Sequence, residues 1–171
     1  MGESSRVGPL AHLEAIFPSL ADDDYAKTSE PTDEYNCFAF AAGDDSSWWG
    51  APPDDYWPPG VEYGRSPENL LAAFATIGYV ECTNGDLEVG FEKIAIYAHP
   101  DTLKATHAAR QLESGRWTSK LGELEDIEHT TLAQLQCAAD LLSYGYAVRY
   151  ARRPRQNTAT SAGDRRKVIS D

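Results

Sequence analysis

Long apolar runs are missing from this sequence, and its mean hydropathy of -0.49 leaves no stretch able to cross a bilayer as a helix. Cysteine is scarce. Cys37, Cys82 and Cys137 are too few and too scattered for a disulfide framework or a zinc site. Positive charge is in deficit, with Lys+Arg 15 against Asp+Glu 27 and a formal net charge of -12. That balance argues against a nucleic-acid partner, because phosphate contacts need clustered cations. Neither a glycine-rich phosphate loop nor an HExxH pair is present. The acidic groups at Asp22 to Asp24, Asp44-Asp45 and Asp54-Asp55 lack the alternating ligands, central glycine and distal glutamate of a calcium loop. They read as solvated surface, and neither a metal nor a cofactor is expected. The opening MGESSRVGPLAHLE has no basic segment followed by an apolar run. A cytoplasmic location is therefore expected, or export by a signal-independent route.

What is present suffices for one core: 171 residues, of which 42% are hydrophobic. Charge is unevenly spread. Residues 152–171 hold six basic and two acidic side chains, net +4, which leaves -16 on residues 1–151. The expectation is a single domain over 1–151 and a basic, disordered tail over 152–171, which docks an anionic partner or folds back on its own domain.

Apolar spacing predicts a short helix over 9–17, ended by Pro18. In DEYNCFAFAAGDD, Asn36 is the expected N-cap and Gly43 the residue after the helix. Residues 44–64 read as an irregular loop. SPENLLAAFATIG is a helix with Ser66 as cap, Pro67 in the first turn and Gly78 closing it. FEKIAIYA (91–98), THAARQL (106–112) and RWTSKL (116–121) read as strands, a second helix-like stretch covers 130–143, and YGYAVRYAR is a last strand. Helices first and hairpin-linked strands later predict an α+β domain with an antiparallel sheet.

Cys37 draws attention because it opens a short helix, where unpaired amides and the helix dipole favour a thiolate and can bind an oxyanion. The competing reading is a buried cysteine acting as a small hydrophobe. Cys82 and Cys137 have no such setting; Cys137 is expected on an apolar helix stripe with Leu135 and Leu141. Four histidines are available as partners: His12, His99, His107 and His129. His107, in a strand between small residues, makes the minimal Cys/His pair of nucleophilic catalysis with Cys37.

YNCFAFA at 35–41, a strand carrying His107 some seventy residues later, and the hairpin after it resemble the papain-like superfamily. Its compact bacterial branch, the NlpC-type cell-wall peptidases and CHAP amidases, is the nearest likeness. The sequence is also similar to bacterial domains with the pattern YNC, WPPG, HAARQ and SKLG. The resemblance covers roughly residues 30–150. It implies an antiparallel sheet under a Cys-bearing helix, with Cys37 as nucleophile, His107 as base and a polar residue on the next strand orienting the imidazole. A three-residue turn at Glu113-Ser114-Gly115 pairs Leu112 with Arg116 and sets Ser119 diagonally beside His107. A two-residue turn brings Lys120 to that face instead. Ser119 departs from the His, Asn or Gln usual at the orienting position; His129 is the alternative.

In that scheme the Cys37 amide, with Tyr35 or Asn36, stabilises the oxyanion. Trp48, Trp49, Trp57 and Lys120 contact the substrate, unless the tryptophans only cap the core and Lys120 ends a strand. The activity implied is thiol-dependent hydrolysis or acyl transfer on an amide of a peptide or protein. Deamidation of a protein glutamine by a toxin or effector is a variant. The rival is a binding module on a papain-like scaffold, holding its partner with the tryptophan loop.

Overall fold

The computed structural model describes residues 10–156. It is an α+β fold whose seven-stranded sheet is antiparallel throughout, in the order β1-β6-β5-β4-β3-β7-β2. In chain order the elements are α1 (Ala11–Ile16), β1 (Tyr25–Ser29), α2 (Cys37–Ala41), α3 (Pro67–Ala75), β2 (Val80–Cys82), β3 (Phe91–Ala98), β4 (Ala105–Gln111), β5 (Trp117–Lys120), β6 (Asp126–His129) and β7 (Tyr146–Pro154). Short 3₁₀ turns occupy Pro18–Asp22 and Leu132–Leu135. No helix among the described residues is long and apolar enough to cross a membrane.

Local chemistry accounts for the helices. Asn36 caps α2 by accepting from the Ala39 amide, and Gly43 leaves it at φ 88°. Ser66 and Asn69 close a reciprocal capping box on α3, with Pro67 in the first turn. Strand β3 is buried at seven of its eight positions, because both faces of the sheet are covered. Ile94, Ile96 and Ala108 turn to one face, under α2, α3 and the tryptophan loop. Ala95, Tyr97, Ala109, Trp117 and Ile127 turn to the other, against Leu13, Phe17, Leu20 and Leu135. Alternation along β3 and β4 thus divides the molecule into two cores.

The β4–β5 hairpin follows the three-residue geometry. The Leu112 amide donates to the Arg116 carbonyl at 2.7 Å, Gly115 sits at φ 95°, and Arg110 pairs with Thr118.

Three expectations are corrected. The helix over 130–143 is only the turn Leu132–Leu135. Beyond it Cys137 and Gly145 exchange both backbone hydrogen bonds, at 3.0 and 2.7 Å, which pulls the chain out of helical geometry. Cys137 therefore shares no helix stripe, and Leu141 is exposed. Strands β1 and β6 were not expected, since their polar alternation hides them. The domain also runs past 151. β7 continues to Pro154, Arg152 pairs with Glu88, and Arg153 reaches Glu92 at 3.2 Å and lies over the Tyr79 ring at 4.6 Å. The basic residues that open the expected tail thus fold back on their own acidic domain; residues 157–171 lie outside those described.

Gly145 is held at φ 78°, and a Cβ there would stand 2.1 Å from the Ala98 carbonyl oxygen. Gly43 has a similar φ of 88° and open space around it. Gly145→Ala is expected to destabilise the domain by more than about 3 kcal/mol and Gly43→Ala by about 1 kcal/mol. Urea unfolding of the two variants measures the difference, and equal losses would contradict the steric argument.

Candidate functional site

Cys37 is buried in the first turn of α2, which packs over β4 and β5. Its Sγ lies 4.0 Å from the Thr106 carbonyl oxygen. Burial pushes the thiol up to about 12, overriding the opposing pull of the Ala108 amide and the Arg65 charge. The site holds a neutral thiol.

On the other face of the sheet a chain of hydrogen bonds runs through three buried side chains. His129 Nδ1 is 2.9 Å from the Thr131 carbonyl oxygen, which can only accept, so the proton sits on Nδ1. His129 Nε2 then accepts from Ser119 Oγ at 2.8 Å. Ser119 Oγ in turn accepts from His107 Nε2 at 3.0 Å. His107 Nδ1 is left as a bare lone pair, buried and without a hydrogen-bond partner. Tyr144 stacks on the imidazole with ring centroids 4.4 Å apart, and Tyr97 meets it edge-on at 5.2 Å. Burial lowers both histidines, His107 well below 6.5 with a further push from His129, and His129 to about 4. Both are neutral at pH 7.

The expected Cys37–His107 pair is not hydrogen-bonded among the described residues. His107 pairs with Tyr97 across β3 and shares its face, whereas α2 covers the face of Ile96 and Ala108. Tyr144, stacked on His107, lines the same cavity as Cys37. Ser119 and His129, weighed as alternatives for one place beside His107, occupy successive places in one chain.

The supporting residues are committed elsewhere. Asn36 Oδ1 accepts from the Ala39 and Trp49 amides at 3.1 and 3.3 Å, and Nδ2 donates to the Trp49 carbonyl at 2.8 Å. Tyr35 donates to Asp126 Oδ2 at 2.6 Å. Neither is free to meet an oxyanion. Lys120 is fully buried rather than facing a substrate. Its ammonium donates to the Thr32 carbonyl at 2.8 Å and to that of Leu124, stands 3.9 Å from Asp126 Oδ1 and lies over the Tyr35 ring. Desolvation lowers its pKa against the raising pull of Asp126. Trp49 belongs to the core, stacked near Phe74, with its indole N–H on Asp44 at 3.1 Å. Trp57 is equally buried, its indole N–H on the Glu62 carbonyl at 3.2 Å.

A cavity of about 390 Å³ opens where the tryptophan loop crosses the start of α2. Cys37, Phe38, Trp48, Trp57, Tyr63 and Tyr144 form much of its wall, with Asp55 and Arg65 also lining it. That volume lies in the usual range for small-ligand sites, roughly 300–1,000 Å³. Phe38, Asp55, Tyr63, Arg65 and Tyr144 were missed from the sequence. Only the neighbouring tryptophans could have signalled them, because the loop fold brings these residues together. Among the described residues no three His, Cys, Asp or Glu side chains gather as a metal site.

The chain belongs to the family described as a domain of unknown function, DUF7689, which matches residues 26–152, from β1 into β7. No curated protein and no solved structure matches it.

The neutral histidine chain makes stability depend on pH. The unfolded chain takes up protons below about pH 6.5 that the folded chain refuses until far lower pH. Stability is therefore complete above pH 6.5 and falls on acidification, towards about pH 4 for His129. The expected slope approaches about 1.4 kcal/mol per pH unit for each histidine. Urea midpoints between pH 7.5 and 5 check this, and His129→Gln should flatten the acid branch.

Proposed function

We propose that this domain is a binding module whose ligand occupies the cavity beneath the tryptophan loop, with Cys37 as part of the wall. The state of that thiol carries the reading. It is buried, pushed up to about 12 and not hydrogen-bonded to an imidazole, in a cavity whose wall joins aromatic side chains with Asn36, Asp55 and Arg65. A thiol held so far above its ordinary value is scarcely ionised near neutral pH, which disfavours a resting nucleophile. Stacked and edge-on aromatic walls give apolar ligands a rigid seat.

A second reading, thiol-dependent acyl transfer on a papain-like scaffold of the NlpC or CHAP type, has specific support. Cys37 opens a helix packed on the strand that bears His107. The chain through Ser119 presents His107 with its Nδ1 lone pair uncommitted. Catalysis on a peptide bond, or on a protein glutamine amide, would require that lone pair to take the thiol proton.

Iodoacetamide labelling at pH 7.5, followed by mass spectrometry, separates the two. Under the binding reading Cys37 is alkylated more slowly than the half-buried Cys82 and Cys137, and cavity-filling fragments slow it further. A Cys37 that reacts first, with its rate lost in His107→Ala, would favour acyl transfer and sink the binding proposal.

A further inference from the structure

Most polar and aromatic groups of the tryptophan loop and its surroundings are occupied. Trp49 and Trp57 spend their indole N–H groups on Asp44 and Glu62 and pack on other rings. Trp48 differs. Among the described residues it has no ring contact and no indole hydrogen bond, although it lines the cavity. Two charged groups in the same wall are also uncommitted. Among the described residues Arg65 donates only to the Ala105 carbonyl, at 3.1 Å, and forms no ion pair. Arg155, outside the cavity, likewise meets only the Phe91 carbonyl, whereas Arg110, Arg116, Arg149, Arg152 and Arg153 each meet a glutamate. The Asp55 carboxylate is half-buried and has neither a hydrogen bond nor an ion pair among the described residues. Asp55 and Arg65 do not pair with each other, although both line one cavity.

A guanidinium with no carboxylate partner in the wall of a cavity keeps donors free for an anionic group of a ligand. A free carboxylate in the same cavity wall makes the complementary demand. We propose that the cavity takes a zwitterion with an aromatic body: its carboxylate lies on Arg65, its ammonium on Asp55 and its ring against Trp48. The inference rests on the binding reading above and deepens it by naming the ligand class. A free aromatic α-amino acid and the paired termini of a short aromatic peptide share this chemistry. They differ in the distance between their charges.

Titration calorimetry on the full chain tests the proposal with L-phenylalanine, the dipeptide Ala-Phe, phenethylamine (ammonium only), 3-phenylpropionate (carboxylate only) and neutral phenylacetamide. One zwitterion is expected to bind at least about tenfold more tightly than either singly charged probe, the scale of one charge-assisted hydrogen bond. The tighter of L-phenylalanine and Ala-Phe identifies the source. Arg65→Gln should weaken that zwitterion and phenylpropionate about tenfold and leave phenethylamine unchanged; Asp55→Asn should do the reverse. If phenylacetamide binds as well as the zwitterions and neither substitution matters, the zwitterion proposal is overturned while the cavity remains a binding site. If no probe binds up to about 10 mM, the proposal is overturned as well. In that case Cys37 labelling, unaffected by ligand, shows whether the binding reading falls with it.

Discussion

A strand offers its side chains only two directions, and β4 lies where that restriction matters most. It carries Ala108 towards the tryptophan-side core and His107 towards the other, with one backbone between them. The thiol, Trp48 and Arg65 line the cavity, and the two histidines and Ser119 form the buried hydrogen-bonded chain. Tyr144, stacked on His107 and lining the cavity, belongs to both. The sheet can be thin here because alanines at 108 and 109 let α2 and the aromatic layer approach closely.

Asn36 is the joint that makes the upper side a site. One amide group satisfies an orphan donor of α2 and both backbone groups of Trp49. The cap and the loop position are therefore one interaction, and the cavity wall is indexed to the helix start. On the same side, Lys120 plays the matching part. Its buried charge ties the 32 and 124 backbones to Asp126, and Asp126 in turn holds Tyr35 just ahead of Asn36. A buried ammonium with two carbonyls, a carboxylate and a ring around it is well enough solvated by protein to stay.

The parts legible in the sequence were those with short-range causes. Caps at Asn36 and Ser66, the left-handed Gly43, Gly78 and Gly115, and the hairpin register that brings Ser119 beside His107 all follow from residues a few positions apart. Strands β1 and β6 were hidden because Asp126, Glu128 and Lys27 give them a polar surface pattern; Asp126 is buried only because distant Lys120 and Tyr35 meet it. The helix expected over 130–143 was lost to the pairing of Cys137 with Gly145, which local propensity does not register. The Cys37–His107 pair is not hydrogen-bonded, and which face of β4 meets α2 depends on the whole sheet, beyond what local spacing can encode.

The sheet order has a consequence for how the cavity comes into being. Strands β3, β4, β5 and β6 form a continuous meander of neighbours in sequence, so their contacts close short loops. The cavity draws instead on residues 36–65, on Thr106 and Gly122 within the meander, and on Tyr144 beyond it. Its wall is thus an assembly of distant chain segments whose closure entropy is met only when the meander is already in place. A partly folded chain can own most of its sheet and still have no cavity, so occupancy of the pocket reports on completion of the fold.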